Sequence, residues 1–436
     1  MRRLVLQRGG WLMGATPSTV PIWSFAKRVD RRGHEDAELL SVYRDYGVVP
    51  KASRDDNFNK ESEDLSNYLY VEEGDLVLNK MKTWQGSLAV SKFEGIVSPA
   101  YFVCKLGHHV VPRYVHYLLR SDPLIAEYAK RSKGIRPNQW DLPFDEFKGI
   151  EVELPPVEEQ RMIADFLDDQ VARIDTLLAE VARMQSLGKE RLGAAVTYGV
   201  SSGDLAPLKR CVWWQEGPGI LADSFRESGT PVLRIANVRR NPPTLEGCNF
   251  VDSSETTRKW SHFLTQEGDL LVSGSASSGQ IATWVTNDIV SAIPYTGLIR
   301  TGTRSENLVP DYLRYFFVSG LFEQQIDALK TGVGIQHWGP SHLSQVFIRV
   351  PSVEAQVRAV QEMAELERGT EALEQDLQHR IDGLEERKRA LITAAVTGEL
   401  DVSTARPIGM GQWVPNVGAG VETPAAAQAS SIGGIG

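Results

Sequence analysis

Two long stretches of the chain repeat apolar residues at helical spacing. After Pro155-Pro156, the residues Ile163, Leu167, Gln170, Ile174, Leu177, Val181 and Met184 alternate at four and three, a heptad seam with one polar interruption. In the second stretch Leu366, Thr370, Leu373 and Leu377 begin a seam that slips by one at Ile381 and continues through Leu384, Lys388 and Leu391. At 1.5 Å per residue, about 40 residues make a rod on the order of 60 Å long. A core helix inside one globule is the plainer alternative, but such a rod is too long to bury against a single small domain. The two helices are therefore expected to pair with each other and to hold globular parts apart.

The remaining chain mixes periods. Short β-rich runs at 76–78, 87–90 and 100–105 are broken by Gly and Pro, whereas 113–120 and 310–317 carry helical spacing. The pattern predicts an α+β fold and leaves strand order open.

Self-similarity organises these parts. Gly74-Asp75-Leu76-Val77-Leu78 recurs as Gly268-Asp269-Leu270-Leu271-Val272, and Val111-Pro112-Arg113-Tyr114 as Val309-Pro310-Asp311-Tyr312. Leu154-Pro155-Pro156-Val157-Glu158-Glu159-Gln160 matches Val350-Pro351-Ser352-Val353-Glu354-Ala355-Gln356, and Ala194-Ala195-Val196-Thr197 matches Ala394-Ala395-Val396-Thr397. Four matches in one order, at offsets of 194, 198, 196 and 200, mean two copies of one unit. The expected organisation is a globular part at 1–154, a helical spacer at 155–200, a second globular part at 201–350, a second spacer at 351–402, and a disordered tail at 403–436. That tail is rich in Gly, Ala, Pro, Ser and Val.

The net charge of −9 would argue against an anionic partner if it were evenly spread. It is not: residues 157–200 hold 8 acidic against 5 basic side chains and 353–400 hold 11 against 6, so the globular parts are nearly neutral. No apolar run approaches the 18 or so residues that a bilayer needs. The three cysteines, Cys104, Cys211 and Cys248, are far apart and without paired spacing. Together these features fit a reducing cytoplasm and no disulfide framework, metal site or membrane span.

Catalytic signatures are fragmentary. Asn241-Pro242-Pro243 has the core of an amino-methyltransferase motif, but Thr244 stands where the stacking aromatic is needed, and no Gly-rich nucleotide loop precedes it. Glu146-Phe147-Lys148 has the E-x-K spacing of a nuclease metal site, a tripeptide common on any surface. His108-His109 lack nearby Cys or carboxylate partners. The expectation is a chain without catalytic residues, bound metal or cofactor of its own.

Two kinds of loop carry nucleic-acid chemistry. The first, 79–86, offers Lys80, Lys82, Trp84 and Gln85 just after a strand, and its counterpart offers Ser273, Ser275, Ser277 and Gln280. The second, 133–140, offers Arg136, Asn138 and Gln139 before Trp140, and is matched by 331–338 with Gln336 and His337 before Trp338. Arg reads guanine and Asn or Gln reads adenine in the major groove, while Lys and hydroxyls position phosphates. The plainer reading of each loop is a polar surface turn with its Trp tucked into the core. A shared frame with altered side chains favours two readers of different half-sites.

The run Leu154-Pro155-Pro156-Val157-Glu158-Glu159-Gln160-Arg161-Met162-Ile163 resembles the start of the conserved helix in specificity subunits of type I restriction-modification systems. Ala395-Val396-Thr397-Gly398-Glu399-Leu400 is similar to that family's helix end, and the likeness covers about residues 1–402. It implies two target-recognition domains alternating with two long antiparallel coiled-coil helices, each domain reading one half of a split double-stranded DNA target. It also implies that the helices dock two methyltransferase subunits, with Glu158, Glu159, Gln160 and Ile163, and Glu354 and Gln356, at the contacts. Restriction/translocase subunits would join for cleavage. S-adenosylmethionine would belong to the methyltransferase subunits, and ATP and Mg to the restriction subunits. The second copy departs from the pattern at Ala355 and at Val357-Arg358-Ala359-Val360, which predicts a weaker partner contact there. Two other readings stay open on the sequence: a coiled-coil adaptor with protein-binding ends, and a self-sufficient DNA methyltransferase or nuclease.

Overall fold

The computed structural model describes residues 17–54, 64–134, 140–239, 242–274, 281–329 and 338–403. Two helices dominate, Val157–Gly199 and Val353–Val396. Each starts after a proline-containing stop and carries acidic residues in its first turn, where they complement the positive end of the helix dipole. Ser352 caps the second, its hydroxyl accepting the Ala355 N–H.

Contacts divide the chain into two compact units, 1–178 with 383–436, and 179–382. Each therefore holds one globular part, the near portion of one long helix and the far portion of the other. Within each unit the two helices pack antiparallel. Asp175 meets Lys388 at 2.6 Å in one unit, and Lys189 meets Glu374 at 3.7 Å in the other. Ile163, Leu167 and Ile174 share a core with Leu391, Ala395 and Val396, as Val196 and Val200 do with Met363.

Two details of the seams differ from expectation. Met184 is 52% exposed, and the buried stripe of the first helix passes Gly188 and Leu192 instead. In the second helix the expected slip does not occur. The stripe runs Met363, Glu367, Thr370, Glu374, Leu377, Ile381, Leu384, Lys388 and Leu391 without a break, and Leu373 is 44% exposed. The apolar pattern favoured Leu373 because its neighbour Glu374 occupies a seam position through an ion pair.

The globular parts repeat one frame. In the first unit a four-stranded antiparallel sheet has the order Ala26–Val29, Tyr101–Leu106, Leu76–Asn79, Leu88–Val90; in the second the order is Val212–Glu216, Leu298–Thr303, Leu270–Ser273, Ala282–Trp284. Registers match as well: Leu76 faces Val90 where Leu270 faces Trp284. A two-stranded ribbon, Ser18–Pro21 with Glu151–Leu154 or Asp204–Pro207 with Phe347–Val350, returns the chain to the long helix. The positive φ of Gly74 and Gly268, +87° and +83°, opens the central strand in both. The copies diverge outside this frame. The first adds two ribbons, Leu40–Tyr43 with Gly47–Pro50 and Leu69–Val71 with Gly95–Val97; the second adds a four-stranded sheet containing Thr230–Leu233 and Asn249–Val251. The fold is thus α+β with an internal twofold repeat and a long antiparallel helix pair. Among the described residues no helix is long and apolar enough to cross a membrane.

Each globular part is fastened to its long helix in two places. Gln160 accepts the Val111 N–H at 2.8 Å and donates to the Pro155 carbonyl, and Gln356 accepts the Val309 N–H at 2.8 Å and donates to the Pro351 carbonyl. Further along, Tyr117 donates to Asp168 and Tyr315 to Glu367, each carboxylate also holding an arginine, Arg113 or Arg314.

Candidate nucleic-acid interface

The described residues that bound the two kinds of candidate loop meet in both copies. In the first, Lys80 follows the strand Leu76–Asn79; its N–H donates to Ala100 and its carbonyl accepts the Leu142 N–H at 3.2 Å. In the second, Gly274 follows Leu270–Ser273; its N–H donates to Gly297 and its carbonyl accepts the Trp338 N–H at 2.9 Å. A Cβ on Gly274 would stand 2.5 Å from the Trp338 oxygen, so this crossing of backbones requires glycine.

These bonds correct one sequence match. Trp338 takes the place of Leu142, not of Trp140. It is buried, edge-on to Phe322 with centroids 5.3 Å apart. Trp140 stays half-buried and packs on Trp84, centroids 4.9 Å apart and planes at 49°. The indole N–H of Trp84 donates to the Met81 carbonyl at 3.0 Å, which fixes the pair at the loop surface. Mutual N–H to carbonyl bonds between Lys133 and Asp141, both 2.9 Å, close the base of the neighbouring loop.

Charge gathers beside this aromatic pair. Lys80 donates to the Pro99 carbonyl and lies 4.6 Å from the centroid of Phe102, while the Arg28 guanidinium covers the same ring at 4.8 Å. Burial, and then the Arg28 charge, hold the Lys80 ammonium below the usual lysine range. A group whose charge is crowded in this way gains from an anion beside it. Lys82 is exposed and Gln85 half-buried on the short turn Thr83–Gln85 and its flank. Arg28 was missed in the sequence because only the pairing of Ala26–Val29 with Tyr101–Leu106 brings it to Phe102. The second copy lacks this basic cluster among its described residues; a Cβ on Gly339 would lie 3.7 Å from Glu216.

Other expected site residues sort differently. Ser273 is 1% exposed at its strand end, which removes it from any ligand surface. Arg136, Asn138, Gln139, Ser275, Ser277, Gln280, Gln336 and His337 lie outside the described residues, as does Asn241. At the helix starts Glu158 and Glu354 are exposed, whereas Glu159, Ile163, Gln160 and Gln356 are buried. The two glutamines spend both ends of their amides inside the fold and so cannot serve as docking contacts. Glu146 is ion-paired with Lys133 and Arg131, and Lys148 with Asp145, which accounts for the E-x-K tripeptide as surface pairing. Among the described residues no group of three or more His, Cys, Asp or Glu is placed to hold a metal. Cys104 is buried, its thiol pushed up to about 12 by that burial and then by Asp75.

No family model matches the chain. Its sequence is 23% identical over 356 residues to the type I restriction enzyme MjaVIII specificity subunit of Methanocaldococcus jannaschii, covering 77% of this chain and 81% of that protein. It is also 23% identical over 287 residues to the type I restriction enzyme EcoKI specificity subunit of Escherichia coli K12, covering 61% and 60%. A chain from a solved structure concerned with complex assembly and conformational transition of the type I R-M system has the same fold. Its TM-score is 0.63 at 15% identity, over 90% of this chain and all of that one. The repeated frame and the paired long helices agree with these likenesses: the chain is similar in sequence to type I restriction enzyme specificity subunits and in fold to a chain of a type I R-M system.

Proposed function

We propose that this chain reads a bipartite double-stranded DNA sequence and directs methyltransferase and restriction subunits to it. The observation that carries the reading is the backbone bond that joins the bounding residues of two loops at one end of the same sheet in both copies, on a chain similar to specificity subunits. A frame that is kept while its loop side chains change is what two readers of different half-sites require.

In the first reader, Lys82, Lys80 and Arg28 position phosphates, Trp84 with Trp140 gives the loop a rigid aromatic face, and Gln85, Arg136, Asn138 and Gln139 are the candidates for base edges. In the second, Gln280, Ser275, Ser277, Gln336 and His337 hold the equivalent role. The long helices set the gap between half-sites and dock two methyltransferase subunits, with exposed Glu158 and Glu354 at their starts. S-adenosylmethionine belongs to those subunits, and ATP and Mg to restriction/translocase subunits that join for cleavage. The chain itself contributes recognition and no catalytic group, and it works in the cytoplasm.

The test is DNA binding by the complex of this chain with its methyltransferase subunits across a salt series. Sequence-specific binding that weakens steeply with salt, through counterion release, supports the reading. Salt-independent capture of a protein with no DNA binding would favour an adaptor, and S-adenosylmethionine binding by the chain alone would favour a self-sufficient enzyme.

A further inference from the structure

The unit 179–382 contains an open pocket of about 420 Å³ between the strand Ala282–Trp284, the helix Pro310–Phe317 and the second long helix. It is distinct from the candidate DNA loops. Those leave the central strand after Ser273, whereas Trp284 pairs with Leu270 at the strand's other end. Among the described residues its lining carries the carboxylates of Asp311 and Glu367 and the guanidinium of Arg314. Both terminal nitrogens of that guanidinium are already on Glu367, at 3.0 and 2.6 Å.

The first copy shows what occupies the same place when the chain supplies it. Arg113 is the counterpart of Asp311, one residue after the proline that opens the recognition helix. Its guanidinium lies across the long helix on Asp165, at 2.7 Å, and on Asp168. In the second copy the tyrosine–carboxylate latch is kept through Tyr315 and Glu367, but the arginine has moved to position 314, and a carboxylate stands where the first copy has a cation. Trp284 replaces Val90 on the wall; its indole N–H donates to one oxygen of Asp311 at 3.1 Å, and Asp311 itself lines the pocket. Thr286, also in the lining, has a buried hydroxyl without a partner.

We propose that this pocket receives the side chain of an arginine presented by a protein partner. A guanidinium, with several N–H donors, matches the parts on offer: a carboxylate oxygen at Asp311, the indole of Trp284 in the wall and an acceptor at Thr286. DNA is the wrong occupant, because its phosphates would meet the carboxylates of Asp311 and Glu367. The pocket makes the second reader an anchoring point for protein, a role the first reader cannot share because Arg113 fills the corresponding position.

The experiment follows the indole N–H resonance of Trp284 in the isotope-labelled full chain, assigned with Trp284→Phe. The probe is N-acetyl-arginine amide, and the control is its neutral isostere, N-acetyl-citrulline amide. A saturable shift with the arginine probe, absent with citrulline and lost in Asp311→Arg, supports the proposal, since that variant supplies internally what the pocket takes from outside. No shift, an equal shift with citrulline, or a shift that survives Asp311→Arg overturns it. The citrulline comparison uses the unaltered protein and decides the matter even where a variant disturbs folding.

Discussion

Gln160 and Gln356 occupy the same place in the two copies: each carboxamide oxygen accepts the backbone N–H that precedes a recognition-domain helix, Val111 or Val309, at 2.8 Å. Each sits at the start of a long helix and is at most 1% exposed. The glutamine shared by Pro155-Pro156-Val157-Glu158-Glu159-Gln160 and Pro351-Ser352-Val353-Glu354-Ala355-Gln356 is therefore a structural clamp. Gln356 also donates to Asn307 and Pro351, so Gln356→Ala strands a buried N–H and two carbonyls. The expected cost is roughly 1–3 kcal/mol, read as a lower urea midpoint for a probe in the second unit. An unchanged midpoint would show that the clamp contributes nothing.

The second fastening is sensitive to acid. Burial alone would raise the Glu367 carboxyl, but Arg314 and the Tyr315 hydroxyl outweigh it, and the net shift is downward. Burial and the Glu367 charge push the Tyr315 hydroxyl up to about 12, so it remains a donor throughout. A depressed carboxylate contributes its stability above the ordinary glutamate range and loses it as pH falls through the folded value. Unfolding midpoints of the parent and Glu367→Gln should differ near neutrality and converge in acid. A constant difference would point to another group.

Lys82 is exposed on the first loop. As a phosphate contact, Lys82→Ala should weaken binding to all sequences alike and lower the slope of log K against log salt by about 0.9. Arg28→Ala should do the same, with release of Lys80 from its like-charged neighbour. A loss confined to one base pair would make either residue a base reader instead.

The helices predict a ruler with a condition on it. Because the two pair antiparallel within each unit, a heptad inserted after Leu178 must be matched by one after Asp382 to keep both sets of pairs. The matched insertion lengthens the pair by roughly 10 Å, about three base pairs of rise, and should change the gap in the methylated sequence while keeping both half-sites. A two-residue insertion turns the apolar stripe by about 200° and should abolish methylation. An unchanged gap in a stably folded heptad variant would mean that the helices are not the spacer.

Much of this was legible because apolar spacing and repetition are directly written in the chain. Ile163, Leu167, Ile174 and Val181 mark the first seam correctly, and Gly74-Asp75 with Gly268-Asp269 marks the two copies of one sheet. Legibility failed where a charge took an apolar place: Glu374 holds its seam position through Lys189, and a pattern reader prefers Leu373. It failed again where identity misled. Two tryptophans at similar loop positions suggested equivalence, yet backbone bonding pairs Trp338 with Leu142. The Arg28–Phe102–Lys80 cluster left no local signal, since strand pairing across more than 70 residues assembles it.

The central claim is that each globular part reads its own half-site. Replacing residues 201–346 with the equivalent part of a relative, in the complex with methyltransferase subunits, tests it when methylated bases are mapped across the host genome. The account predicts that one half of the methylated sequence changes and the other half stays intact. A change in both halves would contradict it.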